Sequence, residues 1–232
     1  MAVTVSQLKK DVFLHKASHL YYTPWVTDTT DGWKPGTDTY DIVDILADTI
    51  AIEQGDPTTE TVDWEFGDSP LMSTSTKGER TIAASCIDMS FDIMEHVFGW
   101  MRATYGTGTT QDVMVYEPTG QGDSFATIVV TFHGATAPII VLPKVSMSSK
   151  TTIGTLKTST GSADLAGTAQ SGYISYGGGQ TISTAKTATT EMAILVPYDG
   201  EVIKCAISSA AVLRDIGEID IVNNEISLVT TT

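Results

Sequence analysis

The segment at residues 124–134, SFATIVVTFHG, carries apolar side chains on both faces of an extended strand. Successive side chains of a β-strand point to opposite faces, so Phe125 and Val129 would lie on one face. Ile128 and Val130 would lie on the other face. A strand that is apolar on both faces needs protein cover on both sides. The segment therefore predicts a mainly β fold in which it is a central strand.

Other segments have the residue types of β-strands and are separated by turn residues. These strand candidates are 48–57, 60–66, 80–91, 112–118, 138–147, 191–197, 201–207 and 217–229. In 60–66, Val62, Trp64 and Phe66 would share one face, with acidic and hydroxyl side chains on the other. Alternation is poor in 80–91, which predicts a strand covered on both sides or bent midway, inside a sheet in either case.

One helix is predicted over residues 91–105, because apolar side chains recur there at helical spacing. The stripe consists of Ile93, Met94, Val97, Phe98 and Met101. Ser90 can cap the N-terminus of this helix and Gly106 can end it. We expect the helix to cover one opening of a β-sandwich or barrel. Residues 40–48 fit a helix about as well as a strand.

Four regions are predicted along the chain. Residues 1–37 mix short apolar patches with turns and are expected to form an N-terminal arm with one or two short strands. Residues 38–147 would form the core β-sandwich with its helix. Residues 148–190 are rich in Ser, Thr and Gly and poor in large apolar residues, which predicts a loop or insertion, either flexible or ordered by a partner. Residues 191–232 would supply strands that complete the core or form a small outer lobe.

A long polar segment separates the strand candidates 60–66 and 80–91, although a two-residue turn could join them. Its members are Gly67, Asp68, Ser69, Pro70, Leu71, Met72, Ser73, Thr74, Ser75, Thr76, Lys77 and Gly78. Because these residues cannot form a core of their own, we expect them to contact another copy of the chain.

The charge of the chain is strongly negative, at −15, with 28 acidic and 13 basic residues. A protein that grips nucleic acid supplies Lys and Arg to the phosphates, so this class is disfavoured. Ten of the 28 acids lie in residues 36–76, which contain no Lys or Arg. Two interpretations stay open for this stretch: an ordinary solvated surface, or a surface that repels a polyanion. The acids are spread along strands rather than clustered in one loop, which does not favour a calcium site.

Motifs for catalysis, metals or cofactors do not emerge from the sequence, and no enzyme and no cofactor are predicted. Cys86 and Cys205 have no paired spacing, and Cys86 is expected to be a buried strand residue. His15 and His19 are four residues apart but lack further ligands, so no zinc site is predicted. The longest apolar run, 137–143, is too short to span a bilayer. We therefore expect that the chain does not insert into a membrane and that it folds in the cytoplasm.

Residues 46–99 resemble the major tail tube proteins of long-tailed, siphovirus-type bacteriophages. The resemblance starts with a strand that ends in Gly-Asp-Pro at 55–57, followed by the acidic-aromatic strand 60–66. A polar loop then closes on Gly-Glu-Arg-Thr-Ile at 78–82, and the next strand leads to a helix with Phe-Gly at 98–99. The match covers about a quarter of the chain. Type VI secretion and injection-system tube proteins look like the same architecture.

The resemblance implies a virion protein whose copies form hexameric rings stacked into a tube for DNA. It implies a β-sandwich or barrel with a flanking helix, and ring-to-ring contacts through 67–78 and 1–37. It also implies that some acids face the lumen, with candidates Asp41, Asp44, Asp48, Glu53, Asp63 and Glu65. The partners would be the chain itself, the tape measure and terminator proteins, and DNA as transient cargo. Residues 148–190 and the C-terminal strands exceed a minimal tube subunit and would be an outward addition.

Two alternatives are kept. The first is another virion assembly protein, such as a capsid-decorating or tail-terminator module. The second is a carbohydrate-binding β domain, in which tryptophan side chains would stack on sugars. The candidates for stacking are Trp25, Trp33, Trp64 and Trp100. Because Trp64 and Trp100 lie on predicted core faces, the carbohydrate alternative is the weaker.

Overall fold

The computed structural model describes fourteen stretches of the chain, and these form a mainly β fold with one short helix. The described residues are 17–29, 32–42, 45–46, 49–62, 72–87, 90–105, 113–118, 122–133, 138–152, 162–178, 186–195, 203–208, 217–222 and 225–230. The fold class predicted from the sequence, mainly β with a single helix, is confirmed for these residues.

The secondary-structure elements are numbered along the chain. The helix is α1 (Phe91–His96), and the strands are β1 (Ala17–Asp28), β2 (Gly32–Pro35), β3 (Tyr40–Ile42), β4 (Ala51–Gln54), β5 (Thr58–Val62), β6 (Met72–Thr76), β7 (Arg80–Cys86), β8 (Trp100–Tyr105), β9 (Val113–Pro118), β10 (Phe125–Phe132), β11 (Ile139–Met147), β12 (Lys150–Thr152), β13 (Ser162–Gln170), β14 (Gly172–Gly178), β15 (Lys186–Thr190), β16 (Ala193–Leu195), β17 (Ile203–Ser208), β18 (Gly217–Val222) and β19 (Glu225–Thr230).

The main sheet has the strand order β2-β1-β10-β11-β13-β7-β4, with β3 also paired to β1. Its two ends are joined by one short piece of chain. Ile42 of β3 is the partner of Leu20, and Ile45 forms a bridge to Cys86 of β7. Residues 42 and 45 can be at most about 11 Å apart, so β1 and β7 lie close together. The sheet is therefore curled into a barrel.

The inner face of this barrel holds the larger hydrophobic core. Its members come from β1, β3, β7, β10, β11, β13 and α1, and Leu20, Tyr22, Ile42, Ile128 and Leu142 are fully buried. Because every strand contributes alternate residues to the inside, the opposite set of side chains points outward.

A second sheet, of order β15-β14-β17-β18-β19, accompanies the barrel, and a second core joins them. Tyr21 and Val129 lie on the outer side of the main sheet and pack in this core with Ile174 and Ile207 of the second sheet. The architecture is thus a barrel with a second sheet against part of its outer face.

Strand β10 is covered on both faces, as its sequence predicts. Ile128 and Val130 belong to the barrel core, and Val129 belongs to the second core. Its neighbours are β1 and β11, so it is a central strand of the sheet.

The predicted helix over 91–105 is too long. The observed helix ends at His96, Gly99 has the left-handed φ of 69°, and residues 100–105 form β8, which pairs with β9. Ile93, Met94, Val97 and Phe98 are buried as the stripe predicts, whereas Met101 is 47% exposed on the strand. A left-handed glycine ends the helix, and a six-pair ladder then satisfies the backbone that a longer helix would have satisfied.

The N-terminal arm predicted over 1–37, with one or two short strands, holds two strands in its described part, but the first of them belongs to the barrel. Residues 17–28 form β1, which is paired with β10 and has the fully buried residues Leu20 and Tyr22. Residues 1–16 lie outside the described residues. The apolar patch at 20–22 belongs to a twelve-residue strand with an inner and an outer face, which its three apolar residues alone did not reveal, and the patch at 12–14 lies outside the described residues.

The Ser/Thr/Gly-rich segment 148–190 contains a core strand, which its prediction as a loop or insertion missed. β13 lies between β11 and β7, and Ala163, Leu165 and Ala169 are buried in the barrel. Small residues alternate there with polar ones, so the two-residue period was present without the large apolar side chains that usually reveal it.

Segment 80–91 also differs from expectation. The strand β7 stops at Cys86, and its buried residues Ile82, Ala84 and Cys86 alternate with less buried ones. Its place between β13 and β4 confirms the predicted interior position. The irregular pattern arose because Ile87 lies beyond the end of the strand and is 37% exposed.

Gly167 offers a direct test of the packing of β13. A Cβ atom at this position would lie 2.5 Å from Val145 Cγ1 and 2.9 Å from the Ser146 carbonyl oxygen. We expect Gly167→Ala to lower the free energy of unfolding by about 1–3 kcal/mol in denaturant titrations, because the two backbones must move apart. Ala83→Ser, at an exposed position of the neighbouring β7, should change it by less than about 0.5 kcal/mol. Equal stability of the two variants would contradict the tight β11–β13 packing.

Candidate assembly interface

Strands β5 and β6 form a two-stranded ribbon, separate from the main sheet. Thr58 is the partner of Thr76 at one end of the ribbon, and Val62 is the partner of Met72 at the other. All five residues of β5 and all five residues of β6 are exposed. We call Thr58–Val62 together with Met72–Thr76 the ribbon.

The ribbon continues from an edge of the barrel. β4 pairs with β7 up to the Gln54–Arg80 pair, where the Arg80 guanidinium donates to Gln54 Oε1 at 2.8 Å. The Gly55 amide then donates to the Glu79 carbonyl oxygen at 2.8 Å. Three residues on each side separate these strands from the ribbon, so the same two chain segments supply the barrel edge and the projection.

The base of the ribbon depends on a close backbone approach. A Cβ atom on Gly78 would lie 1.9 Å from the Gly55 carbonyl oxygen, so only glycine fits there. A Cβ atom on Gly55 would meet nothing nearer than 3.5 Å. Next to Gly78, the Lys77 ammonium forms an ion pair with Glu191, which follows β15. The two segments of the base therefore meet in a close backbone contact, and one ion pair ties the base to the residue that follows β15.

A ribbon of this kind is not stable by its own contacts. An isolated two-stranded hairpin is at best marginally stable in water, because it has no buried face. The ribbon buries neither of its faces within the described part of the chain. Its geometry suits a surface that becomes covered by another molecule.

The polar loop predicted over 67–78 is only partly a loop. Met72, Ser73, Thr74, Ser75 and Thr76 form strand β6, and Lys77 and Gly78 lie at the base of the ribbon. The remaining members, Gly67, Asp68, Ser69, Pro70 and Leu71, lie outside the described residues. The strand was missed because five consecutive exposed residues give no apolar alternation.

The partner strand β5 was predicted from 60 to 66 with an inward face, and this differs from the structure. β5 starts at Thr58, and Val62 is 51% exposed instead of packing in a core. Trp64 and Phe66 fall outside the described residues. Thr58 and Thr59, which the sequence prediction left out, pair with Thr76 and Ser75 and complete the ribbon.

Two of the predicted lumen acids are described, and both are exposed. Asp41 on β3 lies beside Tyr21, on the outer side of the sheet, and its carboxylate is 2.9 Å from His19 Nδ1. Glu53 on β4 is the partner of the exposed Thr81. The other candidates, Asp44, Asp48, Asp63 and Glu65, lie outside the described residues. That any of the six faces a lumen stays a prediction.

The described tryptophans are engaged with protein. Trp25 is 3% exposed and donates from Nε1 to Thr127 Oγ1 at 2.9 Å. Trp100 packs against the barrel core and donates to Thr151 at 3.1 Å, and Trp33 meets the Phe125 ring edge-on. Trp64 is not among the described residues. These contacts weaken the carbohydrate-binding alternative, which needs open aromatic faces.

Among the described residues, no group of three or more His, Cys, Asp or Glu side chains is placed to hold a metal ion. Cys86 and Cys205 are buried and are not joined in a disulfide. Burial raises the pKa of Cys205 to about 12, so its thiol stays protonated and unreactive at neutral pH. The short helix α1 has neither the length nor the hydropathy of a bilayer span, and the described chain offers no other candidate.

A polar cluster fastens α1 to the barrel. The buried Tyr22 hydroxyl donates to Asp123 Oδ2 at 3.3 Å, and His96 Nδ1 lies 3.4 Å from the same oxygen. The Asp123 amide donates to the His96 carbonyl oxygen at 2.8 Å, and Tyr40 stacks on the His96 ring. Partial burial raises the pKa of Asp123, and the neighbouring His96 and the Tyr22 hydrogen bond partly offset this effect. The cluster explains the position of the helix and suggests no chemistry.

No protein-family model matches the chain, and no curated protein matches its sequence.

Gly78→Ala should loosen the ribbon, whereas Gly55→Ala should not. The first change places a methyl group on a backbone oxygen, and the second meets only ordinary van der Waals distances. Digestion of dilute protein with a Glu-specific protease, which can cut after Glu60, measures the difference. We expect severalfold faster cleavage in Gly78→Ala than in the unchanged protein, and an unchanged rate in Gly55→Ala. Equal cleavage rates in all three proteins would contradict the close backbone approach of Gly78 to Gly55 at the base of the ribbon.

Asp123→Asn should change the pH dependence of stability in a defined direction. The raised pKa means that the folded state binds a proton more tightly than the unfolded state. The resulting stabilisation is complete below the ordinary carboxyl pKa of about 3.9 and is lost as pH rises through the raised pKa. The asparagine oxygen can still accept from Tyr22 but cannot ionise. We therefore expect the free energy of unfolding of Asp123→Asn, relative to the unchanged protein, to increase between about pH 4 and pH 7.

Denaturant unfolding at several pH values provides this measurement. Glu53→Gln removes an exposed carboxylate from the same chain and serves as the control for the lower net charge. A relative stability of Asp123→Asn that stays constant or falls as pH rises would contradict the raised pKa of the partly buried Asp123 carboxyl group.

Proposed function

We propose that this protein is the tail tube subunit of a long-tailed bacteriophage. Its copies form hexameric rings, and the rings stack into a tube whose acidic lumen conducts DNA to the host. The chain is assembled in the host cytoplasm and resides in the virion, together with tape measure and terminator proteins. It performs no catalysis and uses no cofactor. The observation that carries the proposal is the ribbon, which projects from the barrel edge and is exposed on both faces.

Stacking gives the ribbon the cover that it lacks. A ring of identical subunits uses a contact between two different surfaces that closes, and stacking repeats a second such contact without closing. A projection from one ring can rest on the next ring at every subunit. The mainly β fold with one helix is compatible with the resemblance of residues 46–99 to tail tube proteins.

The charge distribution supports a conduit rather than a DNA-binding surface. The described acids of residues 36–76 that lie outside the ribbon, which are Asp38, Asp41, Glu53 and Asp56, are all exposed. Carboxylates that line a channel repel phosphates over roughly the Debye length, about 10 Å at 0.1 M salt. DNA would then move through without adhering to the wall.

Excision of the ribbon tests the proposal. Residues 57–77 are replaced by Asn-Gly, which joins Asp56 to Gly78 through a two-residue hairpin turn. The Lys77–Glu191 ion pair is lost, but an exposed pair contributes at most about 1 kcal/mol, so the barrel should remain folded. We expect circular dichroism to show folded protein, and negative-stain microscopy to show no tubes.

Gly55→Ala is the control, because it changes the same region but keeps the ribbon. It should form tubes with a central hole, as the unchanged protein does. Tubes of normal length from the ribbon-less variant would contradict the assignment of this contact, and a strictly monomeric unchanged protein would contradict the proposed function as a whole.

A further inference from the structure

The two faces of the ribbon differ in chemistry. Residues directly opposite in an antiparallel pair share a face, and successive residues alternate between faces. One face, which we call the Val62 face, holds the pairs Thr58–Thr76, Glu60–Thr74 and Val62–Met72. The other, which we call the hydroxyl face, holds Thr59–Ser75 and Thr61–Ser73. The register therefore places every large apolar side chain of the ribbon on one face.

The apolar pair is unusual for this protein. Met72 is 59% exposed and Val62 is 51% exposed, which makes them the two most exposed large hydrophobic side chains among the described residues. They lie directly opposite each other at the end of the ribbon away from the barrel. Exposed apolar side chains that adjoin each other mark contact surfaces more often than single ones do.

Charge indicates which partner the ribbon suits. The chain carries a net charge of −15, so two copies repel each other over most of their surfaces. The ribbon has only one charged residue, Glu60, among the ten residues of β5 and β6. A basic partner would be attracted to the acidic parts of the surface, whereas a nearly uncharged projection allows another acidic copy to approach.

The size of the ribbon fits a contact that is repeated. Five residue pairs span about 17 Å, and one face offers six side chains, against roughly 20–30 residues a side in a standard stable interface. A single such contact is weak, but several made together by the same assembly give strong overall binding. This is the situation of a ring resting on another ring.

We infer that the Val62 face of the ribbon packs on a second copy of this chain, and that the hydroxyl face remains in water. Val62 and Met72 are the residues that determine this contact. The inference rests on the proposed function, since it assumes that the ribbon joins successive rings.

An exchange of the two faces tests the inference at constant composition. The exchanged variant carries Thr61→Val, Val62→Thr, Met72→Ser and Ser73→Met, so that the same residues are present with the apolar pair on the other face. All four positions are exposed, and the barrel should fold as before. We expect the critical concentration for tube formation, measured by sedimentation, to rise roughly tenfold or more.

Thiol labelling gives an independent measurement. Cys86 and Cys205 are buried, so a cysteine introduced on the ribbon is the accessible thiol among the described residues. Val62→Cys should react with a maleimide in the dilute monomer and become protected in tubes. Thr61→Cys, one residue away on the hydroxyl face, should react in both states.

The outcomes separate the inference from the proposed function. If the exchanged variant assembles at the normal concentration, or Val62→Cys stays reactive in tubes, the inference is overturned. The proposed function then still stands, provided that ribbon excision prevents assembly. If the unchanged protein forms no tubes, both are overturned.

Discussion

The structure depends on the burial of three adjacent strands, β1, β10 and β11, from both sides. Their inward residues fill the barrel, and their outward residues meet the second sheet. Two polar side chains at this place are paired: Thr127 Oγ1 accepts from Trp25 and donates to the Pro143 carbonyl oxygen at 2.8 Å. Since a buried hydroxyl without a partner is costly, this chain of hydrogen bonds allows polar atoms between two cores. The same three strands thus join the halves of the protein.

The ribbon, in contrast, has no protein cover on either face from the described part of the chain. The strands that hold the protein together are covered twice, whereas β5 and β6 are covered on neither face. The change from the covered sheet to the uncovered ribbon occurs at Gly55 and Gly78, which lie between the β4–β7 pair and the ribbon. A doubly covered body with an uncovered extension is compatible with the proposed subunit, which completes its contacts only on assembly. The net negative charge of the body leaves the sparsely charged ribbon as a favourable place for two copies to meet.

Sequence patterns predicted the parts of the fold in which large apolar residues follow the strand period. The burial of β10 on both faces was visible in Ile128, Val129 and Val130, because these consecutive apolar side chains point alternately to the two faces of the strand. β13 was not visible, because Ala163 and Ala169 fill the barrel with small side chains that also occur in loops. The helix was overextended because the apolar spacing continues through Met101, while the single residue Gly99 changes the backbone direction.

The sequence located the polar connection between two strands, but not the form that this connection takes. A long polar connection was apparent in the sequence. The pairing of Thr58–Val62 with Met72–Thr76 was not, because the register of two strands is only weakly specified by their sequence when neither face is buried. The two-faced character of the ribbon follows only once that register is known. For the acids, the sequence showed a concentration of charge, but the direction of Asp41 and Glu53 depends on which strand each of them pairs with.

Amide hydrogen exchange of the ribbon, in monomers and in assembled protein, measures whether assembly covers the ribbon. Its backbone is bonded in a two-stranded ladder without cover, so the amides of Thr58–Val62 and Met72–Thr76 should exchange rapidly in the monomer. Upon assembly they should become protected, while the amides of β10 should be slow in both states. Exchange in the ribbon that stays equally fast in assembled protein would contradict the account.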